Sequence, residues 1–199
     1  MANLKHNNYT QDTLALHAGY TYDTQRTMSV PIYQNTAYSF ESLEQAAARF
    51  GLKELGNIYT RLTNPTTDVL GARLAAVEGG VFGVPTSSGS AAIFYAIANC
   101  AESGDNIIFA NKIYGGTQTL FTHTLKRFGI EARTFDIDNI ASLESVIDSK
   151  TKAIFFESIS NPIISIADST AITAIAKKHG IISICDNTVA TAFLHKPFD

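Results

Sequence analysis

The sequence predicts an α/β fold whose mainly parallel sheet is covered by helices. From Asn64 onward, short β-branched apolar stretches alternate with amphipathic helical segments, as in chains of repeated strand–helix units. The predicted strands do not alternate polar with apolar residues, which indicates burial on both faces. Ligands of such sheets bind beyond the carboxyl ends of the strands, so the residues that follow each strand are the candidates for function.

Composition and charge exclude several classes of protein. With 199 residues, of which 45% are hydrophobic and 17% charged, the chain can form one globular domain and an extension. A net charge of −3 without a basic block argues against binding to nucleic acid or an anionic membrane. The N-terminus lacks the apolar core of a signal peptide, and two cysteines are too few for a disulfide framework, so we expect a cytoplasmic protein. The five histidines show no spacing typical of metal ligands.

Residues 1–60 are predicted to form an N-terminal arm. They contain scattered aromatic residues, polar turns and two short helical candidates, at residues 12–17 and 42–50. A segment of this kind cannot bury much of its own surface, so we expect it to lie along another surface; an unattached tail is the alternative. Residues 61–199 are predicted to form the α/β domain, without internal repeats.

The elements of this domain follow from local signals. Asn64 and Pro65 form a helix cap followed by proline at the first helical position, and Gly79 and Gly80 end the helix, which we place at 66–78. In chain order the remaining elements are strand 81–84, helix 90–100, strand 106–110, helix 117–128, strand 131–135, helix 140–147, strand 153–156, helix 168–179 and strand 181–185.

The turn after the first predicted strand has the features of an anion site. Ser88, Gly89 and Ser90 are small residues that open a helix, where exposed backbone N–H groups and the helix dipole favour a phosphate. The segment matches neither the Walker loop nor the dinucleotide fingerprint. An ordinary capped turn between strand and helix is the alternative.

Three further side chains follow later strands. Tyr114, followed by two glycines, could cover a flat ring, or could simply cap the sheet edge. Asn161 precedes a proline, which keeps it out of the helical conformation and presents its amide at the edge. Asp186 follows a buried strand, where a carboxylate is costly unless it is paired, so it is a candidate functional residue; a structural cap is the alternative.

Tyr59 and Arg61 place a phenol and a guanidinium two residues apart in the arm. Both groups suit a phosphate, although a solvated surface pair is the alternative. An anion cradle, an aromatic face, an amide and a buried carboxylate together suit a phosphorylated aromatic cofactor with a basic ring nitrogen. Pyridoxal 5'-phosphate has all of these properties.

The same residues resemble the Cys/Met-metabolism pyridoxal-phosphate enzymes, which have the aspartate-aminotransferase-like (type I) fold. The resemblance extends from His17 to the end of the chain, and its motifs occur in the family's order. They are Tyr59-Thr60-Arg61, Asn64-Pro65-Thr66, Leu74 to Gly80, Thr86 to Gly89, Tyr114 to Thr117, Glu157 with Asn161-Pro162, and Asp186-Asn187-Thr188.

The resemblance implies a role for each candidate. Gly89 and Ser90 would donate backbone N–H groups to the phosphate, with Ser88 beside them. Tyr114 would stack on the pyridine ring and Asp186 would hold the ring N–H, so these two are the implied catalytic residues. Asn161 would lie near the phenolic oxygen of the ring, and Thr188 near the cofactor. Tyr59 and Arg61 would reach the phosphate in a neighbouring subunit, which implies shared active sites and a homotetramer.

Within the family, residues 50–61 look most like O-acetylhomoserine sulfhydrylases. Gly116 agrees, because methionine γ-lyases usually carry cysteine at this position. The implied reaction replaces the acetate of O-acetyl-L-homoserine by sulfide or methanethiol, giving homocysteine or methionine. The alternatives are a methionine γ-lyase or a cystathionine γ-synthase or γ-lyase.

The lysine that anchors the cofactor in this family is expected beyond Asp199, as is the arginine that binds the substrate carboxylate. The local match at Ser149 to Lys152 is rejected, because it precedes a strand and so belongs at the wrong edge of the sheet. We therefore interpret the chain as the N-terminal portion of a longer enzyme, with a partial cofactor-binding domain at 61–199, and expect the 199 residues alone to be inactive. A catalytically inert subunit that retains the cofactor cradle or serves in assembly is the non-enzyme alternative.

Overall fold

The computed structural model describes residues 9–198, which divide into two compact units. One unit extends to Pro85 and includes Phe198, and the other runs from Thr86 to Pro197. This division separates compact units and does not mark where an arm would end, so the boundary predicted after residue 60 remains a prediction. No helix of the described residues is both long and apolar enough to cross a membrane.

The first unit contains three capped helices: α1 (Gln11–His17), α2 (Leu43–Phe50) and α3 (Pro65–Glu78). Their N-caps are Thr10, Ser42 and Asn64, whose side-chain oxygens each accept a first-turn backbone N–H. Gly19 (φ +78°) follows α1, and a Cβ there would stand 2.8 Å from the backbone oxygen of Val69. The close approach of α1 to α3 therefore requires glycine at this position.

The predicted strand at 81–84 is wrong. The segment pairs with no strand among the described residues, and Val81, Phe82 and Val84 are all exposed. An apolar run indicates a tendency toward burial, but a strand also requires a neighbour for its backbone N–H and C=O groups.

The second unit is built on a four-stranded parallel sheet. Its strands are β1 (Asn106–Ala110), β2 (Glu131–Phe135), β3 (Thr151–Glu157) and β4 (Ile182–Asp186), in the spatial order β2-β1-β3-β4. The two central strands, β1 and β3, are buried along nearly their whole length. The predicted parallel α/β fold with helical cover is confirmed, and the bounds predicted for β1 and β2 match.

Five helical segments accompany this sheet: α4 (Gly89–Ala98), α5 (Gly115–Thr119), α6 (Ala141–Glu144), α7 (Ser169–His179) and α8 (Thr191–Leu194). After α5 the chain stays helical through one π turn (Leu120–Thr124) and one 3₁₀ turn (Leu125–Phe128), so the predicted helix at 117–128 is present but irregular. The helix predicted at 140–147 is only one turn long, and α8 was not predicted.

The core of the second unit contains three phenylalanine rings in edge-to-face contact. Phe121, which is 1% exposed, lies edge-on between Phe109 and Phe155, with ring centroids 5.3 and 5.0 Å away. Phe109 and Phe155 belong to the central strands, so this contact joins the helical layer to the middle of the sheet.

An ion-pair network joins strands at the amino edge. Arg133 donates to Glu131 (2.9 Å) and to Asp148 (2.8 Å), and the other oxygen of Asp148 accepts from the amide of buried Asn106 (2.8 Å). The hydrogen bond from Arg133 is the main reason that the pKa of Asp148 lies well below its usual range, and the hydrogen bond from Asn106 is the second. The charged form of Asp148 is therefore favoured by folding.

We expect this network to make stability depend on pH in the acid range. The pKa of Asp148 is lower in the folded state than its unfolded-state value of about 3.9. The charged carboxylate therefore makes its full contribution to folding stability above the unfolded-state pKa, and this contribution is lost as the pH falls through the folded-state pKa. The Tm of Asp148→Asn should lie below that of the wild type at neutral pH, and the difference should shrink toward zero in acid. Thermal unfolding followed by circular dichroism across this range measures it. Asp12→Asn, a change at an exposed residue of α1, is the control, and a gap that stays constant with pH would contradict the prediction.

Candidate functional site

A cavity of about 320 Å³ lies where β3 and β4 end, within the size range of ligand sites. It is lined by the start of α4, the start of α5 and the loops that follow β3 and β4. The structure brings together here all of the predicted site residues of the second unit, namely Ser88, Gly89, Ser90, Tyr114, Asn161, Asp186 and Thr188.

The start of α4 forms one side of the cavity and has features that favour an anion. Ser88 is the N-cap, and its Oγ accepts the N–H of Ala91 at 3.1 Å. The hydroxyl of Thr86 donates to the Ser88 carbonyl at 2.9 Å and so holds the turn. The N–H groups of Gly89 and Ser90 have no carbonyl one helical turn earlier, and a Cβ on Gly89 would meet no atom within 4 Å. These two amides are available to an anion in open space.

Tyr114 supplies an aromatic face. It precedes α5, half of it is exposed, and its ring lies against the backbone of Gly116. A Cβ at position 116 would stand only 2.5 Å from Cε1 of Tyr114, so this ring position requires glycine there.

Asp186 ends β4 and is half-buried at the cavity wall. Its Oδ1 accepts the N–H of Thr188 at 3.0 Å and also the Thr188 hydroxyl. This local turn fixes the carboxylate, since an aspartate commonly accepts from the residue two positions later.

Glu157 also lies in the cavity wall, and sequence reasoning gave it no role. It ends β3, is 6% exposed, and is the ladder partner of Asp186 on β4. Its Oε1 accepts the N–H of Tyr114 at 2.7 Å, and its Oε2 accepts the N–H of Asn161 at 3.0 Å. The signal was available, because the argument applied to Asp186, a carboxylate at the end of a buried strand, holds equally for Glu157.

The two sides of the cavity favour ligand groups of opposite charge. Burial raises the pKa of Glu157, the two backbone N–H groups oppose that rise, and neighbouring Asp186 adds to it. The carboxylates at the strand ends favour a cationic N–H, whereas the amides at the start of α4 favour an anion. A pyridinium ring that carries a phosphate matches both sides, with Tyr114 available to cover its plane.

Tyr59 and Arg61 lie in the first unit. The guanidinium of Arg61 is 5.6 Å from the centre of the Tyr59 ring, and both side chains are exposed. Their function at a cofactor remains a proposal.

A larger cavity of about 600 Å³ lies at the amino ends of β3 and β4, where Lys152 and His179 contribute to its wall. Ligands of parallel sheets bind at the opposite edge, so we do not assign this larger cavity as the functional site. Lys152, from the rejected Ser149 to Lys152 match, is 3.6 Å from Asp105 at this edge. Among the described residues, those that line the cavity at the carboxyl edge include no lysine.

A parallel sheet whose carboxyl edge combines anion-binding amides, an aromatic face and a carboxylate defines a class of α/β protein that binds a phosphorylated aromatic cofactor. The model of the Cys/Met metabolism PLP-dependent enzymes matches residues 12–199. The chain belongs to this family, and pyridoxal 5'-phosphate is its cofactor.

Named relatives share much of this sequence. The O-acetyl-L-homoserine sulfhydrylase of Corynebacterium glutamicum is 43% identical over 190 residues, which is 94% of this chain and 44% of that protein. The homocysteine/cysteine synthase of Kluyveromyces lactis is 48% identical over 172 residues, which is 85% of this chain and 39% of that protein.

Solved structures show the same fold. A provisionally assigned O-acetylhomoserine (thiol)-lyase from Campylobacter jejuni is 70% identical with a TM-score of 0.94, over 96% of this chain and 47% of that chain. Its crystal structure carries a pyridoxyl-lysine monophosphate at its position 205. Cystathionine γ-lyase from Lactobacillus plantarum is 35% identical with a TM-score of 0.87, over 96% of this chain and 48% of that chain. The chain spans less than half the length of these relatives and structures.

Proposed function

We propose that this chain is part of an O-acetylhomoserine sulfhydrylase. The reaction would exchange the acetate of O-acetyl-L-homoserine for sulfide to give homocysteine, or for methanethiol to give methionine. Support comes from the relatives named for this activity and from the C. jejuni structure. The observation that carries the proposal is the cavity itself, where anion-binding amides and two carboxylates face the same space.

The residues at the start of α4 would hold the cofactor phosphate. The N–H groups of Gly89 and Ser90 suit its charge, and Ser88 stands beside them while its hydroxyl oxygen remains occupied by the N–H of Ala91. Oδ1 of Asp186 already accepts two hydrogen bonds from Thr188, so Oδ2 is the oxygen that we assign to the ring N–H.

Once bound, the cofactor supplies an electron sink that stabilises negative charge on the substrate carbon next to the amino group. Asp186 would keep the ring nitrogen protonated, which strengthens that sink. Tyr114 would cover one face of the ring, Asn161 would lie near its phenolic oxygen, and Thr188 would orient the Asp186 carboxylate. Each of these side chains lies at the cavity wall.

Residues outside the second unit would complete the site. We propose that Tyr59 and Arg61 bind the phosphate held by a neighbouring subunit, in a homotetramer with shared active sites. The exposure of the pair and the affinity of guanidinium for phosphate support this assignment. The cytoplasmic location expected from the sequence remains a prediction.

The lysine that binds the cofactor covalently would be contributed from beyond Asp199. The C. jejuni chain carries its pyridoxyl-lysine at position 205, and no lysine among the described residues lines the cavity. The 199 residues alone should therefore form no homocysteine.

Intact-mass measurement of the natively produced protein, before and after borohydride reduction with pyridoxal phosphate, tests the cofactor assignment. We expect a gain of one phosphopyridoxyl group per chain, and a protein that gains none would contradict the proposal. Product analysis with O-acetyl-L-homoserine then tests the reaction. Thiol-dependent homocysteine or methionine would support the sulfhydrylase, whereas thiol-independent ammonia and 2-oxobutyrate would indicate a γ-lyase.

A further inference from the structure

Glu157 connects two loops of the cavity through a single buried carboxylate. One oxygen holds the backbone of Tyr114, in the loop after β1, and the other holds the backbone of Asn161, in the loop after β3. Glu157 itself ends the central strand β3, which is paired on both sides by β1 and β4. Its position is therefore fixed by the sheet, and its two hydrogen bonds add to backbone bonds within the loops, such as those from Asn111 to Phe135 and from Ser160 to Ser165.

Both carboxylate oxygens of Glu157 accept a backbone N–H. Charge-assisted bonds to backbone N–H groups are among the strong hydrogen bonds of proteins, and here both oxygens are used in this way on the cavity wall. The residues they hold are those assigned to opposite parts of the cofactor ring, its face and its phenolic oxygen. A shift of either loop would change the space between the aromatic face and the amide.

We propose that Glu157 is a positioning residue that sets the distance and orientation between Tyr114 and Asn161, and so the geometry in which the cofactor ring is bound. The inference rests on the proposed function of this cavity. Glu157 acts through the two backbone amides and needs no contact with the cofactor.

The test uses the full-length protein and three substitutions. Glu157→Gln preserves shape but offers one acceptor oxygen for two N–H groups, so one loop loses its bond. Glu157→Asp preserves the charge but is one methylene shorter, so it cannot span both amides from the end of β3. Glu157→Ala removes both bonds. The matched control is Glu131→Gln, which makes the same chemical change at the amino edge, where Glu131 pairs with Arg133.

The dissociation constant of pyridoxal phosphate, measured by titration of the apo protein, is the first readout. We expect it to rise roughly ten-fold in Glu157→Gln and roughly a hundred-fold in Glu157→Ala, as for other residues that orient binding groups. Glu157→Asp should resemble Glu157→Gln, because geometry rather than charge is lost. The induced circular dichroism of the bound cofactor should weaken in all three variants and stay unchanged in Glu131→Gln.

Hydrogen–deuterium exchange of the apo protein is the second readout. Peptides that contain Tyr114 and Asn161 should exchange faster in the Glu157 variants, while peptides from β1 and β3 should not. Wild-type affinity and cofactor dichroism in Glu157→Gln would overturn the inference, as would a loss of affinity accompanied by faster exchange across the whole sheet, which would indicate a general loss of folding. A wild-type protein that binds no pyridoxal phosphate would overturn the proposed function and this inference with it.

Discussion

Asp186→Asn is expected to lower kcat by roughly 10²–10³-fold, the scale seen when one preorganised electrostatic contact to developing charge is removed. The asparagine keeps an oxygen that can accept from the N–H and hydroxyl of Thr188, so the local turn is preserved. What it loses is the negative charge assigned to the ring nitrogen, and with it the protonated ring that stabilises the substrate carbanion.

The measurement is steady-state kinetics at saturating pyridoxal phosphate, with bound cofactor quantified by absorbance. We expect the loss in kcat to exceed the loss in cofactor occupancy, because the charge acts mainly during the reaction. Asp68→Asn makes the same chemical change at an exposed residue of α3 that has no assigned role, and it should retain wild-type kcat. Near-normal turnover by Asp186→Asn would remove Asp186 from the catalytic assignment.

Phe121→Ala is expected to lower the free energy of unfolding by about 3–5 kcal/mol, the range for a large aromatic side chain removed from a closed core. Phe121 is 1% exposed and contacts phenylalanines of both central strands. Its loss would remove two edge-to-face ring contacts and leave a cavity between the helical layer and the sheet.

Denaturant unfolding of the apo protein measures this change. Phe128→Ala is the matched control, because Phe128 is half exposed and has one ring contact, with Phe94 at 5.4 Å, so we expect a clearly smaller loss. Equal losses of unfolding free energy in the two variants would show that the edge-to-face contacts of Phe121 contribute no more than the partial burial of an ordinary phenylalanine.

The ends of β1 and β2 could be predicted because turn residues flank both strands. Their bounds match the prediction, although only β1 is an apolar run; β2 contains Glu131 and Arg133 and is delimited by the turn at Gly129 and by Asp136. The failure at 81–84 has the opposite cause. Its residues have strand character, but strand formation depends on a partner, which no local pattern encodes.

The irregular helix after Tyr114 shows a similar limit. Its helical pattern indicated one helix at 117–128, yet the structure places a π turn and a 3₁₀ turn after α5. Phe121 and Leu125 are both buried in the core, as residues four apart would also be on one face of a regular α-helix. The apolar periodicity therefore predicts the helical segment and its buried face, but it does not distinguish a regular helix from one with a π turn and a 3₁₀ turn.

By itself, the sequence determined the parallel α/β class, the cofactor and the residues that gather at the carboxyl edge, because strand order along the chain and the polar residues after each strand are local features. Only the tertiary structure decided how Glu157 is used. Its bond to Asn161 is local, four residues along the chain, but its bond to Tyr114 joins residues 43 apart and exists only once β1 and β3 lie side by side. Local chemistry thus defined what the site contains, and long-range packing defined which groups touch.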